Sequence, residues 1–183
     1  TYRKIYPEFF ETLNIKPIKE YPAILKESMN YVNCGGINVV LTPGRFNSAY
    51  YEHAYLAKKI GARLVRNNEL IVKDKIVYFR NYNGKDIRVG SIYRRLDDEF
   101  LDPKFFNPDS LIGVPGIMEA YLSGNVALLN APGNGVADDK GIYYFVPKMI
   151  KYYLGEEPIL KNAPTYLPYF EDDKKYVFEN IHK

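Results

Sequence analysis

Ile24, Leu25, Met29 and Val32 recur at helical spacing and predict a helix over 23–31, broken by Gly35 and Gly36. The β-branched run Ile37–Thr42 then has the continuous apolar character of a strand covered on both faces. Pro43 and Gly44 form a turn, with Asn47 or Ser48 placed to cap the next helix. Ala49, His53, Leu56, Ala57 and Ile60 fall on one helical face. Gly61 stands where a C-terminal glycine belongs, and Ala62–Val65 reads as a second short strand. Strand, helix and strand in this order make a βαβ unit, whose crossover is right-handed.

The pattern then changes. Glu69–Lys73 and Ile76–Arg80 flank Asp74 and Lys75 as a small hairpin, and Asn83-Gly84 is a further turn signal. Asp86–Leu96 returns as a strand, followed by an acidic, irregular segment to Pro103. Pro115 opens a helix to Ser123 that Gly124 ends, and Val126–Asn130 is another buried strand. Gly133–Gly135 loops into Asp138, Asp139 and Lys140 at the start of a helix. Pro147 is expected to start a second helical piece through Leu154, closed by Gly155. Beyond Glu156, prolines give way to a charged tail at Asp172–Lys175. The elements predict an α/β fold: a three-layer arrangement with a mainly parallel sheet and a β-hairpin insertion.

Length and composition narrow this picture. At 183 residues, 46% hydrophobic and 26% charged, the chain suits one ordinary domain rather than two or a disordered segment. A balance of 25 basic and 22 acidic residues is too even to imply a nucleic-acid partner. The 18 tyrosines read as half-buried packing residues; a base-stacking surface would need basic residues interleaved along a groove. Cys34 is the single cysteine, so there is no internal disulfide and no cysteine metal site, and its place before an apolar run reads as a buried structural thiol. No stretch of about 18 apolar residues exists, so no membrane partner and a cytoplasmic location are expected. A start at Thr1 without methionine reads as a fragment boundary.

Open α/β sheets bind ligands beyond the carboxyl ends of their strands, and three polar loops meet that condition. Thr42–Ser48 offers a helix N-terminus, a hydroxyl and Arg45, which suits a carboxylate or phosphate or forms an ordinary capped turn. His53, one turn into that helix, reads as a satisfied core histidine or as a site residue. Arg94, Arg95, Asp97 and Asp98 put two guanidiniums and two carboxylates at a strand end. Successive strand residues face opposite ways, so at most one arginine reaches a given ligand. A structural arginine–aspartate network and a binding site remain equally open. Gly133–Lys140 lacks both the Walker spacing and the dinucleotide glycine pattern; its acids also suit simple helix caps.

The segments Val39–His53, Tyr93-Arg-Arg-Leu-Asp-Asp-Glu-Phe-Leu-Asp-Pro103, Gly113–Gly116, Asn130-Ala-Pro-Gly-Asn-Gly-Val-Ala-Asp-Asp-Lys140 and Tyr152–Pro158 together resemble the circularly permuted ATP-grasp type 2 proteins, related to glutathionylspermidine synthetase. The resemblance implies ATP-dependent carboxylate–amine ligation: ATP phosphorylates a carboxylate, and an amine displaces the phosphate. It implies a Rossmann-like pre-ATP-grasp domain at 37–155, an N-terminal helical or irregular segment at 1–36, and a Pro-rich linker at 156–183 toward a missing ATP-grasp region. It assigns Asn47, Ser48, His53, Arg94, Arg95, Asp97, Asp98 and Asn130 to substrate binding, and Lys140 to ATP; Glu52 matches the first motif. ATP and Mg2+ belong to the longer family context, with a small carboxylate or amine as substrate and the remaining ATP-grasp portion, in the same or another chain, as partner. Stretches resembling the family's metal site and its glycine-rich flap over ATP are not found here, so the isolated chain is expected to be inactive and to hold neither cofactor nor metal. A stand-alone module that binds a small anion or a partner protein is the alternative.

Overall fold

One long strand organises the sheet. β5 (Ile87–Arg94) pairs in parallel with β1 (Ile37–Leu41), placing Val39 opposite Ile92, Val40 opposite Tyr93 and Leu41 opposite Arg94. β2 (Arg63–Val65) lies parallel on the far side of β1. The other edge of β5 is shared. Its first residues pair antiparallel with β4 (Ile76–Phe79), and its later ones pair parallel with β6 (Ala127–Leu129). These relations come from a computed structural model that describes residues 2–13, 15 and 18–182.

β3 (Leu70–Lys73) joins β4 through Asp74 and Lys75, both at positive φ (50° and 60°), the backbone a two-residue hairpin connection of primed type requires. The hairpin is not an appendage. β4 satisfies backbone groups at the start of β5 that would otherwise form an open edge. The sheet is therefore mixed, in the order β2-β1-β5-β4-β3 with β6 beside β5, and the expectation of a mainly parallel sheet is corrected.

Between the pairs Ile37–Val89 and Asn38–Ser91, β5 carries one extra residue, Gly90. This bulge shifts the parity of the strand, so Val89 and Ile92 share a face although three residues apart. Val39, Leu41 and Ile92 pack with Val65, with Leu101 of α5 (Asp98–Leu101) and with Ile117 of α6 (Ile117–Leu122). Val40 and Tyr93 turn the other way, to Met29 of α3 (Tyr21–Tyr31) and to Leu56, Ala57 and Ile60 of α4 (Tyr50–Ile60). A side chain at Gly90 has no room: its Cβ would stand 2.1 Å from Asn33 Oδ1. Asn33 is itself fixed, because its Nδ2 donates to Asn38 Oδ1 at 2.6 Å, and Ser91 Oγ donates to the same oxygen at 2.7 Å.

The chain divides into two compact units, Thr1–Asn130 and Ala131–Lys183. The first opens with two short helices, α1 (Tyr2–Ile5) and α2 (Pro7–Thr12), before α3. In the second, α7 (Lys140–Leu154) runs unbroken through Pro147, contrary to the expected restart at that residue. Proline lacks the N–H that would bond the Tyr143 carbonyl four residues back. Asn162 supplies the replacement, its Nδ2 donating to Tyr143 O at 2.9 Å, and the Ala163 N–H donates to the Tyr143 hydroxyl at 2.9 Å. The charged tail is also a helix, α8 (Glu171–Asn180). Glu171, Asp172 and Asp173 occupy its first turn, where acids favour the helix dipole.

Gly90→Ala is expected to cost about 2 kcal/mol of stability by overpacking. In an Asn33→Ala background the added cost should fall below about 1 kcal/mol, since the clash partner is gone; urea denaturation of the four-member cycle measures both.

Candidate functional site

The carboxyl ends of β1, β5 and β6 bring Thr42–Ala49, Arg94–Asp98 and Asn130 to one end of the first unit. The bulge in β5 decides what each arginine does there. Arg94 falls on the Ile92 side, where its side chain is 5% exposed and fully engaged. Its Nε donates to Asn130 O at 2.6 Å, Nη1 to Leu96 O at 2.6 Å, and Nη2 meets Asp98 Oδ1 at 2.5 Å. Arg94 thus ties the ends of β5 and β6 to the start of α5.

Arg95 falls on the Tyr93 side, and its backbone N–H extends the β1 pairing to Leu41 O at 2.8 Å. Its Nη2 donates to Glu52 Oε1 at 2.6 Å, and its Nη1 to the Tyr93 hydroxyl at 3.2 Å. Arg95 is 24% exposed beside a 54% exposed Glu52, so the pair is partly open to solvent. The Tyr93 hydroxyl also hydrogen-bonds Tyr21 at the start of α3; that bond and partial burial raise the Tyr21 hydroxyl above its ordinary pKa.

His53 lies under the same end of the sheet, 2% exposed, with Nδ1 2.8 Å from Thr42 Oγ1. The Gly44 N–H also donates to that hydroxyl at 3.2 Å. The arrangement fits a neutral ring with its proton on Nε2. Burial holds the imidazole below its ordinary pKa, and the Arg95 charge lowers it further against the weaker opposing effect of Glu52. His53 therefore fixes the first loop through Thr42.

The remaining expected residues are distributed unevenly. Asn47 and Ser48 are exposed. Asn47 Oδ1 accepts from the Ala49 N–H at 2.9 Å, which bends the loop, while the N-cap position of α4 is Ala49 and carries no side-chain cap. Asp97 is exposed, and Asn130 contributes its carbonyl to Arg94 while its own residue surface stays open. Lys140 belongs to the second unit, where its Nζ donates to Asp138 O at 3.0 Å and Asp139 Oδ1 caps α7 by accepting from Gly141 N at 2.6 Å. Cys34 is half-buried rather than buried, and its N–H donates to Gly90 O at 3.1 Å just before β1.

Sequence reasoning missed Asp102, which is fully buried. It accepts from Lys104 N at 2.9 Å, Gly116 N at 3.1 Å and Met118 N at 3.0 Å, so it anchors the start of α6 below the site. The bond to Lys104 is a local turn signal, but those to Gly116 and Met118 span 14 and 16 residues and leave no pattern in the sequence.

Among the described residues, no group of three or more His, Cys, Asp or Glu side chains comes together as a metal site. Among them, too, no helix is long and apolar enough to cross a membrane. A family model described as a circularly permuted ATP-grasp matches residues 1–183. The chain belongs to the circularly permuted ATP-grasp family. An uncharacterized protein of Synechocystis sp. is 49% identical over 183 residues, covering 98% of this ATP-grasp chain and 38% of the relative. One from Mycobacterium tuberculosis is 41% identical over 189 residues, covering all of the chain and 34% of the relative. A Frankia casuarinae protein named "Putative glutamate--cysteine ligase 2-2" is 34% identical over 182 residues, 97% of the chain and 21% of that protein. The ATP-grasp chain thus spans well under half the length of these relatives. It is an ATP-grasp, ligase-related domain, of a family that generally uses ATP and Mg2+.

The two arginines should separate in a stability measurement. Arg94→Met is expected to cost on the order of 3 kcal/mol, since it strands a carboxylate and two carbonyls, whereas Arg95→Met should cost less than about 1 kcal/mol. Chemical denaturation reads both. His53 gives a pH signature. Its folded pKa lies below the unfolded 6.5, so its contribution is full above that value and lost as pH falls through 6.5 toward the folded value. Melting temperatures measured between about pH 7.5 and about pH 5.5 should decline less steeply for His53→Gln than for the native chain.

Proposed function

We propose that this chain forms the substrate side of an ATP-grasp ligase that joins a carboxylate to an amine through an acyl phosphate, and that by itself it turns over no ATP. The observation that carries the reading is the unequal use of the arginine pair. Arg94 is consumed in holding the strand ends, and Arg95 stands partly exposed beside them, at the end of the sheet where α/β folds take ligands. An arginine of that kind suits a carboxylate or phosphoryl oxygen, which it can meet with two parallel N–H bonds. The parallel strands β2-β1-β5-β6, with helices packed against β1 and β5 through opposite residues, support a three-layer, Rossmann-like pre-ATP-grasp reading of the first unit.

Ligation requires the carboxylate oxygen to attack the terminal phosphorus of ATP, releasing ADP, and the amine nitrogen then to attack the acyl carbon, releasing phosphate. Shielding and charge neutralisation are the heavy demands of both steps. Among the described residues no three carboxylates come together to hold magnesium. Lys140 is the residue offered to the nucleotide.

A second support comes from the unit Ala131–Lys183. None of its described residues is buried, while Tyr152, Tyr153, Leu154, Ile159, Leu160 and Tyr169 are each more than 60% exposed. A segment this apolar with no core of its own calls for cover. The covering partner in this reading is the rest of an ATP-grasp polypeptide, as the longer relatives possess.

The test is ADP release, measured with amino acids and polyamines as substrates, for this chain alone and for a full-length relative that contains its counterpart. The expected result is turnover that needs both a carboxylate and an amine in the longer protein, and none in the 183-residue chain. Turnover by the chain alone, lost on Lys140→Ala, would overturn the inactivity. A longer protein that never couples ADP release to amide formation would overturn the ligase reading.

A further inference from the structure

The pair Arg95–Glu52 offers a ligand more than one charge. Arg95 Nη2 and Glu52 Oε1 are 2.6 Å apart, so a cation and an anion stand side by side, partly open to water. The spacing of opposite charges is that of the ammonium and carboxylate on one carbon. We propose that Arg95 and Glu52 form a subsite for the zwitterionic head of a free α-amino acid, Arg95 taking the α-carboxylate and Glu52 the α-ammonium. The proposal rests on the ligase reading for its place in a reaction and names the substrate class that reading leaves open.

The surroundings fix the arginine of this surface pair. Arg95 is held at two points, by its backbone and by Tyr93. Its backbone continues the β1–β5 pairing, its Nη1 donates to the Tyr93 hydroxyl, and its guanidinium carbon sits 5.7 Å from the Tyr93 ring centre. Tyr93 is 6% exposed and is itself bonded by Tyr21, so the arginine has a fixed platform. Glu52 lies in the first turn of α4, next to His53, whose ring is tied to Thr42 and neutral. No third charge is needed to explain the pair. An exposed ion pair is weak, so a ligand opens it at small cost.

Selectivity follows from the two signs. A bare carboxylate can reach Arg95 only by meeting the Glu52 charge, and a bare amine meets Glu52 only against Arg95. A zwitterion set antiparallel to the pair satisfies both and leaves neither uncompensated. The α-groups then anchor the molecule whatever its side chain.

Calorimetric titration of the full chain, without nucleotide, with L-alanine, L-glutamate and glycine as probes, together with their N-acetyl and α-amide derivatives, tests this. At least one amino acid should bind with a dissociation constant below about 10 mM, and blocking either α-group should weaken it about tenfold or more. Arg95→Gln should abolish binding. Glu52→Gln should weaken the free amino acid yet strengthen its N-acetyl derivative, because the competing carboxylate is gone; circular dichroism confirms that each variant folds. A purely structural pair predicts no such crossover. Absence of binding by every amino acid tested, equal binding of the N-acetyl form, or a Glu52→Gln variant that moves both ligands alike would overturn the proposal. Because no ATP is present, failure here is distinguishable from failure of the ligase reading, which is read from ADP release in the longer protein.

Discussion

Pairing of β5 with β1 demands that each residue of β5 face one side of the sheet or the other, and the extra residue at Gly90 sets the phase of that alternation. Asn33, Asn38 and Ser91 lock the bulge from one side through hydrogen bonds of 2.6 and 2.7 Å. Four residues downstream, the same phase sends Arg94 into the packed face beside Ile92 and Arg95 out over Tyr93. Removing the bulge would exchange those environments: a guanidinium would enter the Met29–Leu56 cluster, and the carbonyls of Leu96 and Asn130 would lose their donor. A packing detail at one end of a strand thus specifies the chemistry at the other. Buried polar groups tolerate no such exchange, because each unpaired one costs its full desolvation.

Much of this was readable from residues. The helix ending at Gly61, the βαβ unit, the hairpin at Asp74 and Lys75 and the opposite facing of the two arginines all follow from local rules, and all are present. What was not readable depended on distant partners. Pro147 breaks a helix by local reasoning, yet Asn162, fifteen residues on, supplies the missing donor and the helix continues. The mixed sheet was hidden because the hairpin's pairing with β5 leaves no mark in either segment alone. Asp102 escaped notice for the same reason. The division of labour between Arg94 and Arg95 was open as well, since alternation says they differ but only the bulge says which is buried.

The family membership and the geometry meet at this point. Family membership brings ATP and ligation into view, but through relatives of which this chain matches well under half the length. The geometry contributes something narrower and particular to the residues: a clamp built on Arg94, a loop fixed by His53 through Thr42, and a partly exposed Arg95 paired with Glu52. The second unit buries none of its described residues and leaves Tyr152, Ile159 and Leu160 more than 80% exposed.

Two neighbouring arginines divide the work in this proposal, Arg94 holding the strand ends and Arg95 meeting the ligand. Nitrogen-15 NMR of the arginine Nε–H groups, recorded while an amino acid is titrated into the chain, tests it most directly. The Arg95 signal is expected to move and saturate while the Arg94 signal, locked to Asn130 O, stays in place and exchanges slowly with water. Movement of Arg94 with an unmoved Arg95, or rapid exchange at Arg94, would contradict it.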